Sequence, residues 1–386
     1  MNKIKAGIIG TGFIGKAHIE SLRRLGYVEV VAFSYHNAEL AQQKAKLLSI
    51  DKAYGDYHDL LKDSEIEVVH ICTPNNLHYT IAKEALEAGK HVICEKPLAM
   101  NSSEAEDLIK IARQKNLVNA VHFNIRFYPL IHQAKAMVGK GDLGTILAVN
   151  GSYQQDWLFH ETDYNWRLEP EFIGNSRAVA DIGSHWLDLV EFITKIKINQ
   201  VCADFAIFHP VRKKPLNLKS VETYAGKILS PKDYADVTIN TEDYASILLR
   251  FDNGAHGSLT VNQVAAGRKN RVYFEIYGSN KAISWNSEIP NELWVGRRDG
   301  NNEIIMKDPS LVDDYAREII SFPGGHNEGF PDTSKQMFEK VYKYIAGKGY
   351  LNGEVPEFPT FEAGYRELVL CENIFKSSKE NRWVTT

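Results

Sequence analysis

The chain has 386 residues, of which 44% are hydrophobic and 24% are charged, and its formal net charge is -4. This length exceeds what one hydrophobic core usually organises, so two domains are expected. The slightly acidic balance excludes the basic face that nucleic-acid binding needs, and no apolar run approaches the ~18 residues that span a bilayer, so neither nucleic acid nor a membrane is an expected partner.

The N-terminal segment Met1 to Lys5 leads straight into an apolar strand without a signal-like apolar core, so a cytoplasmic enzyme is predicted. The four cysteines are far apart and form no CxxC pair, which predicts neither disulfides nor a thiolate metal site. No other set of ligands at suitable spacing is evident, and no bound metal is predicted.

The first 123 residues alternate short apolar strands with amphipathic helices, a pattern typical of a parallel sheet covered on both faces. The predicted strands are 4–9, 28–33, 68–72, 91–94 and 117–121. The predicted helices are 15–25, 38–48, 77–88 and 103–115. We therefore predict a doubly wound α/β Rossmann domain over residues 1–123.

After residue 123 the pattern changes to longer β-rich segments with fewer helices. The predicted strands are 146–155, 198–208, 245–251, 255–264 and 272–277, and the predicted helices are 179–194, 333–346 and 361–376. Strands that closely follow strands predict an α+β domain over residues 124–386, with a large and mostly antiparallel sheet open on one face. Such a face suits assembly into a homodimer or homotetramer.

A glycine turn follows the first strand and opens the first helix, which is the context of a dinucleotide-binding fingerprint. There the backbone approaches a pyrophosphate, which faces the N-terminus of the helix. The expected cofactor is NAD or NADP. The turn residues predicted to bind it are Gly10, Gly12, Phe13, Ile14 and Gly15.

The end of the second strand lacks the carboxylate that usually binds the ribose of NAD. It carries Ser34 and Tyr35, which we predict to contact the cofactor. No carboxylate there repels a 2′-phosphate, but no Lys or Arg stands beside Ser34 in the sequence to neutralise one. The sequence therefore favours NADP slightly and leaves NAD open.

Two motifs supply candidate catalytic groups. Lys96 lies between Glu95 and Pro97 directly after the fourth strand, where its cation can stabilise a developing alkoxide. Asp181 and His185 are four residues apart, which places them on one face of a helix, and histidine suits proton transfer near neutral pH. Taken alone, Asp181 fits a helix cap and His185 fits a buried, satisfied histidine equally well.

Together the glycine turn, Thr73 to His78, Glu95 to Pro97 and Asp181 to His185 resemble the Gfo/Idh/MocA oxidoreductases, the family of glucose-fructose oxidoreductase and inositol dehydrogenase. The resemblance implies that Lys96, Asp181 and His185 are the catalytic trio and also contact the substrate. His185 would be the acid/base, Lys96 would steady the reacting oxygen and Asp181 would assist orientation. Further cofactor contacts implied at the strand ends are Thr73, Pro74, Asn75, Asn76, His78, Glu95 near the nicotinamide ribose, Lys96 and Asn124.

The stretches 155–158, 163–168 and 176–178 are similar to a branch of this family that contains glycoside and anhydro-sugar dehydrogenases. Polar side chains among aromatic rings suit a polyol, which offers hydroxyls and C–H faces. Trp157 and Trp166 fit core positions equally well. The resulting predictions are Trp166 and Arg167 for the cofactor, and Arg126, Asp156, Trp157 and His326 for the substrate.

These observations predict an NAD(P)-dependent oxidoreductase that transfers a hydride between a ring hydroxyl of a sugar, glycoside or inositol and the nicotinamide. One alternative is an NAD-dependent glycosidase that oxidises a ring carbon only transiently. Another is a cofactor-binding sensor without catalysis, although the intact trio argues against it.

Overall fold

The computed structural model describes residues 3–10, 12–216 and 233–386. Thr11, in the glycine turn, lies outside the described residues. The chain divides into two compact units. The first runs to Phe127 and includes Phe330–Leu368, and the second comprises Tyr128–Gly329 and Val369–Thr386.

The secondary structure alternates regularly in the first third of the chain and becomes strand-rich afterwards. The α-helices are α1 (Phe13–Arg23), α2 (Ala38–Leu48), α3 (Tyr57–Lys62), α4 (His78–Glu87), α5 (Ser102–Lys115), α6 (Pro129–Gly139), α7 (Pro170–Ile173), α8 (Ser184–Thr194), α9 (Asp314–Arg317), α10 (Phe330–Ala346), α11 (Gly349–Asn352) and α12 (Phe361–Glu380). The strands are β1 (Ile4–Ile9), β2 (Val28–Ser34), β3 (Lys52–Tyr54), β4 (Val68–Ile71), β5 (His91–Cys94), β6 (Asn119–Val121), β7 (Ile146–Gln154), β8 (Ile198–Ala206), β9 (Val211–Pro215), β10 (Tyr234–Thr238), β11 (Tyr244–Phe251), β12 (His256–Asn262), β13 (Arg271–Gly278), β14 (Ala282–Asn286), β15 (Glu292–Gly296), β16 (Glu303–Met306) and β17 (Val384–Thr385).

The first unit contains a six-stranded parallel sheet in the order β3-β2-β1-β4-β5-β6. All four residues of β4 are buried, because helices cover both faces of a parallel sheet. The strand order reverses between β1 and β4, and ligands of such sheets bind outside the carboxyl ends of the strands at this point. The predicted Rossmann domain is confirmed, with β3 as an additional short strand.

Helix α10 belongs to the first unit although it follows the second sheet in the chain. Its residues Met337, Phe338 and Val341 are buried in the same apolar cluster as residues of β1 and β2. The predicted division into residues 1–123 and 124–386 assigned α10 to the second domain, whereas the structure places it in the first unit. An amphipathic pattern predicts that a helix covers a core, but it does not say which core.

The second unit contains a nine-stranded sheet in the order β16-β15-β14-β13-β7-β12-β11-β8-β17. Its neighbours are antiparallel except β7 and β12, which are parallel. Along β11, Ile247 and Leu249 are buried whereas Leu248 between them is 52% exposed, the alternation of a sheet with one covered face. The predicted large, mostly antiparallel sheet is confirmed. A separate hairpin pairs β9 with β10.

Among the described residues, no helix has both the length and the apolar character that crossing a membrane requires.

Candidate active site

The glycine turn after β1 has two glycines that the packing of the chain itself requires. Gly10 adopts a φ of +93°, and a Cβ there would lie 2.6 Å from the carbonyl oxygen of Cys72. A Cβ on Gly15 would lie 2.4 Å from the carbonyl oxygen of Gly10. A Cβ on Gly12 would meet no described atom within 4 Å, so packing does not explain this glycine. Its position fits the close approach of a ligand to the backbone.

The N-terminus of α1 is not capped by a side chain. Gly12 is its N-cap residue, and no acidic residue lies in the first turn. By contrast, Asn37 and Asn101 accept hydrogen bonds from the first turns of α2 and α5. The first N–H groups of α1 and the positive end of its dipole therefore suit an anion such as a pyrophosphate. Phe13, next to Gly12, is 60% exposed, and Ile14 is half-buried.

At the end of β2 the structure places cationic side chains that the local sequence did not indicate. Ser34 is only 2% exposed, so its hydroxyl is not presented at the surface. The ring of the half-buried Tyr35 has the ammonium group of Lys44, on α2, 4.6 Å from its centroid. Partial burial and the nearby charge of Lys16 lower the pKa of Lys44. This end of the site therefore has positive charge where many NAD enzymes have a carboxylate.

The loop after β4 contains two buried polar atoms that lack partners. Thr73 Oγ1 and Asn76 Oδ1 have no hydrogen-bond partner among the described residues. Buried polar atoms in proteins are nearly always paired, so this pair fits a loop that completes its hydrogen bonds with a polar ligand. Pro74 is extended and Asn75 begins a 3₁₀ turn, so both also shape the loop.

His78 supports this loop from behind. It is buried, and its Nδ1 lies 2.7 Å from the carbonyl oxygen of Pro97, while its Nε2 lies 3.0 Å from that of Thr73. Burial lowers the pKa of His78 despite these two carbonyl contacts. Since backbone carbonyls engage both ring nitrogens, His78 braces two loops, and its contact with the cofactor stays a prediction. Lys96, beside Pro97, is half-buried.

The carboxylate of Glu95 is buried in a cluster of histidines. Its Oε1 lies 2.9 Å from Nε2 of His18 and 2.5 Å from Nδ1 of His122. His18 Nδ1 in turn lies 2.9 Å from Nδ1 of His70. The place of Glu95 near the nicotinamide ribose stays a prediction. Position at a strand end does not determine which way a side chain points.

The histidine cluster has a single direction of hydrogen bonding. Tyr342 can donate to Nε2 of His70, whose Nδ1–H donates to His18, whose Nε2–H donates to Glu95. On the other side His122 donates from Nδ1 to the same carboxylate, and its Nε2 lies 3.0 Å from Oγ of Ser334. With His18 and His70 neutral and Glu95 ionised, each hydrogen in the line from Tyr342 to Glu95 has an acceptor.

The electrostatics agree with this arrangement. Burial and the charge of His122 lower the pKa of His18 to about 4, so His18 is neutral at physiological pH. Burial opposes the ionisation of Glu95, but the contacts with His122 and His18 hold the pKa of its carboxyl well below its ordinary value. Glu95 is therefore the anionic end of the cluster, one residue before Lys96.

The same donor atoms could be considered as metal ligands, since those of His18, Glu95 and His122 lie within 4.8 Å of one another. However, both imidazoles contact the same oxygen at hydrogen-bond distance. Ligands that each lie about 2.1 Å from a shared zinc ion stand farther apart than this. We therefore describe the cluster as a hydrogen-bond network.

The residues after β6 differ in their environment. Asn124 is 2% exposed and donates from Nδ2 to Thr333 Oγ1 of α10 at 2.7 Å, and its contact with the cofactor stays a prediction. Arg126 is half-buried in the same 3₁₀ turn.

In the second unit, Asp181 lies in a π-helical segment, Val179–Gly183, that continues directly into α8. Such segments are rare in proteins and frequently occur at functional sites. His185 is the second residue of α8, is 9% exposed, and has the ring of Tyr153 6.3 Å away between centroids. Asp181 and His185 are therefore one turn apart, as predicted.

The carboxylate of Asp181 has polar neighbours on both oxygens. Gln263 donates from Nε2 to Oδ2 at 3.0 Å, and Nε of Arg167 lies 3.7 Å from Oδ1. The guanidinium of Arg167 lies over the ring of Trp166, 4.3 Å from its centroid. Arg167 and Trp166 thus lie beside Asp181 on a partly exposed surface.

Three predicted substrate contacts have hydrogen-bond partners in their own or in another loop of the second unit. Asp156 Oδ2 accepts hydrogen bonds from the backbone of Gly267 and from Lys269. Trp157 donates to Gln155, and its ring packs on an apolar cluster in the same unit. His326 is exposed and its Nδ1 lies 3.2 Å from the carbonyl oxygen of Gly324. Nothing in these contacts directs the three side chains to one place.

Sequence reasoning did not assign a role to Gln263, which donates to Asp181, or to the buried Arg177, which donates to Gln263. Gln263 is 82 residues from Asp181 in the chain, and no local pattern marks it. It also missed Lys44, because this residue comes one helix after Tyr35.

The chain is similar to characterised and solved oxidoreductases along its whole length. Residues 4–123 match the model of an oxidoreductase family with an NAD-binding Rossmann fold, and residues 131–284 match the GFO/IDH/MocA C-terminal domain. Levoglucosan dehydrogenase of Pseudarthrobacter phenanthrenivorans is 30% identical over 405 residues, covering 100% of this chain and 98% of that enzyme. Inositol 2-dehydrogenase of Salmonella agona is 34% identical over 194 residues, covering 49% of this chain and 54% of that enzyme.

A solved structure described as levoglucosan dehydrogenase in complex with NADH and L-sorbose has a TM-score of 0.86 and 29% sequence identity to the chain. The superposed region covers 100% of this chain and 99% of the chain in that structure. The resemblance indicated by the sequence motifs is confirmed, and the chain belongs to the Gfo/Idh/MocA oxidoreductase family, with an NAD-binding Rossmann fold.

Proposed function

We propose that the protein is a nicotinamide-dependent dehydrogenase that oxidises a secondary ring hydroxyl of a sugar or related polyol. The observation that carries this proposal is the orientation of Asp181, held by Gln263 one turn before His185. Proton removal from an alcohol requires a positioned base, and a histidine with a carboxylate one helical turn away suits that role. Similarity over the full length to levoglucosan dehydrogenase supports a carbohydrate substrate.

The proposed chemistry divides between the residues. His185 accepts the hydroxyl proton of the alcohol, Asp181 orients and stabilises the resulting imidazolium, and the ammonium group of Lys96 stabilises the negative charge that develops on oxygen. A bound nicotinamide would supply the acceptor for the hydride that leaves the same carbon. The alcohol thereby loses one proton and one hydride and becomes a ketone. In the reverse direction His185 returns the proton.

The proposed cofactor site uses the uncapped N-terminus of α1 for the pyrophosphate, and Thr73 and Asn76 as polar contacts. For the adenosine end we propose that Tyr35 and Lys44 replace the usual carboxylate, so that NADP is accepted as well as NAD. Lys44 forms no ion pair with a carboxylate of the described residues, which leaves its charge for a 2′-phosphate.

For the substrate we propose an anhydro-sugar or glycoside ahead of an inositol, because the similarity to levoglucosan dehydrogenase extends over the whole chain, whereas that to inositol 2-dehydrogenase covers half of it. Arg126, Trp166 and Arg167 are the partly exposed polar and aromatic residues we assign to substrate or cofactor. The exposed apolar residues Leu147 and Leu248 of the sheet support assembly into a homodimer or homotetramer.

The test is to incubate the purified protein with NAD or NADP and a panel of levoglucosan, methyl glycosides, glucose and myo-inositol. We expect reduced nicotinamide in proportion to a keto-sugar product. Cleavage of a glycoside without net reduction would favour a glycosidase that uses transient oxidation. Cofactor binding without any turnover across the panel would favour a sensor and contradict the proposal.

A further inference from the structure

We propose that Gln263 and Arg177 are positioning residues that set the direction of the hydrogen bond to Asp181 and keep Asp181 ionised, one helical turn before His185. The inference rests on the proposed function for its catalytic consequence. The contacts that carry it all lie within the second unit.

Gln263 is fully buried directly after β12, and its amide bridges two side chains. Its Nε2 lies 3.0 Å from Oδ2 of Asp181, and its Oε1 lies 2.8 Å from Nη1 of Arg177. Its backbone N–H also donates to the carbonyl oxygen of Asp243 at 3.0 Å, which anchors the residue at the end of the strand.

The direction of this bridge follows from the chemistry of Arg177. A guanidinium has only donors, so the oxygen of the Gln263 amide must face it and the NH₂ group must face Asp181. Asp181 Oδ2 can then only accept. A proton on Oδ2 would place two donors against each other, so the bridge favours the ionised form of Asp181. Arg167, 3.7 Å from Oδ1, favours the same form.

Arg177 can impose this direction because it is itself fixed. It is 1% exposed, and Nη2 is paired with the buried carboxylate of Asp243, while Nε donates to Thr241 at 3.2 Å. Asp243 also accepts from Arg212 at 2.9 Å. Although burial opposes ionisation, the charges of Arg177 and Arg212 hold the pKa of the Asp243 carboxyl below its ordinary value.

The backbone of Asp181 depends on the same arginine. The N–H of Asp181 donates to the carbonyl oxygen of Arg177 at 2.8 Å. Glu242 accepts from the backbone N–H groups of Arg177 and Val179 at 2.9 and 3.0 Å, so the start of the π-helical segment is held as well. Arg177 therefore helps to hold both the main chain and the side chain of Asp181. Buried polar networks whose hydrogen bonds are satisfied rigidify the groups that they contain.

The first arm of the test is kinetic and uses Gln263→Leu, with Gln200→Leu as the matched control. Gln200 also accepts from an arginine, Arg250 at 2.9 Å, but on the exposed part of the sheet. We expect kcat of Gln263→Leu to fall by up to about 100-fold, since small misplacements of catalytic groups have that effect. The KM for the dinucleotide should stay unchanged, and the acidic limb of the pH profile of kcat should move to higher pH. A wild-type profile in Gln263→Leu would overturn the inference.

The second arm does not depend on activity. Gln263→Glu places two carboxylates against each other, and the double variant Gln263→Glu with Asp181→Asn restores a hydrogen bond in the reverse direction. We expect urea denaturation at pH 8 to show that Gln263→Glu is destabilised and that adding Asp181→Asn recovers stability. We also expect the double variant to remain inactive, because it lacks the carboxylate at position 181.

The two arms separate two kinds of failure. If the wild-type protein oxidises no sugar, the proposed function fails, while recovery of stability in the double variant still supports the directed bridge. Asp181→Asn is measured in two backgrounds, the wild type and Gln263→Glu. If it changes the free energy of unfolding equally in both, the two side chains are not coupled and the inference is overturned. If Gln263→Glu does not fold, the kinetics of Gln263→Leu decide.

Discussion

Nε2 of His18 donates to Oε1 of Glu95 at 2.9 Å, and this contact joins the helix that follows the glycine turn to the residue that precedes Lys96. Both residues are buried. Two parts of the proposed site therefore share one support within the first unit. One is the backbone that suits the pyrophosphate, and the other is the lysine proposed to stabilise the alkoxide.

This support predicts acid lability. Folding lowers the pKa of His18 from its ordinary value of 6.5 to about 4, so between these values the unfolded chain binds more protons than the folded one. Stability is therefore present above pH 6.5 and is lost as the pH falls toward 4, by on the order of 3 kcal/mol for this group. The depressed pKa of Glu95 acts in the same direction below its ordinary value of 4.5.

Urea denaturation at a series of pH values between 4.5 and 8 measures this loss, in steps chosen to cover the window in which His18 is expected to act. We expect His18→Gln to be less stable at pH 8 but to have a flatter dependence on pH. His256→Gln changes an exposed histidine of β12 and should retain the wild-type slope. An unchanged slope in His18→Gln would mean that another group causes the acid lability.

The glycine turn predicts different effects for two similar substitutions. Gly15→Ala puts a Cβ 2.4 Å from the carbonyl oxygen of Gly10, so we expect a lower Tm. Gly12→Ala meets no described atom within 4 Å and has an ordinary φ of -64°, so we expect a Tm near that of the wild type. We also expect NADH binding to weaken by about tenfold or more, or about 1.4 kcal/mol, because the methyl group stands where the dinucleotide approaches.

Thermal denaturation and titration of protein fluorescence with NADH measure the two effects separately. If Gly12→Ala bound NADH as tightly as the wild type, the dinucleotide would not lie against this turn. If both variants lost stability equally, the distinction between packing and ligand glycines would be wrong.

The position of Lys44 predicts a selective loss of NADPH binding. Lys44→Met removes the ammonium group beside Tyr35 while keeping most of the side-chain volume. We expect NADPH affinity to fall roughly fivefold, or about 1 kcal/mol, with NADH affinity unchanged. Lys46→Met, an exposed change on the same helix, is the control. Parallel titrations at low and high salt check the result, since a charge contact should weaken with salt. Equal effects on both cofactors would exclude a contact with the 2′-phosphate.

The fold of the first unit was predictable because most of its strands are short, largely apolar runs that alternate with amphipathic helices. The sheet of the second unit was predictable from alternation in strands such as β11, whereas β14 to β16 have four or five residues each, too few to show a period. The return of α10 to the first unit depends on which core it covers, and that information is not local.

At the site, spacing predicted that Asp181 and His185 lie one turn apart, because four residues make about one turn of helix. Spacing does not give the direction of a side chain: Glu95 contacts His18 and the ring nitrogens of His78 contact backbone carbonyls. Whether either residue also contacts the cofactor stays a prediction. The sequence could not predict the role of Gln263, because this role depends on a hydrogen bond to Asp181, 82 residues away in the chain. Local sequence patterns do not show which way a side chain points or which residues far apart in the chain contact each other.

His185 carries the last prediction, which separates binding from catalysis. His185→Gln keeps a side chain of similar length but cannot take up the hydroxyl proton. We expect kcat/KM for a sugar substrate to fall by about 10²–10⁴, the usual contribution of general acid/base catalysis. NADH affinity should be unchanged, because His185 is not among the proposed cofactor contacts. Steady-state kinetics and NADH titration check the two expectations, with His256→Gln as control. Turnover at the wild-type rate in His185→Gln would remove this residue from the proposed mechanism, and another group would have to accept the proton.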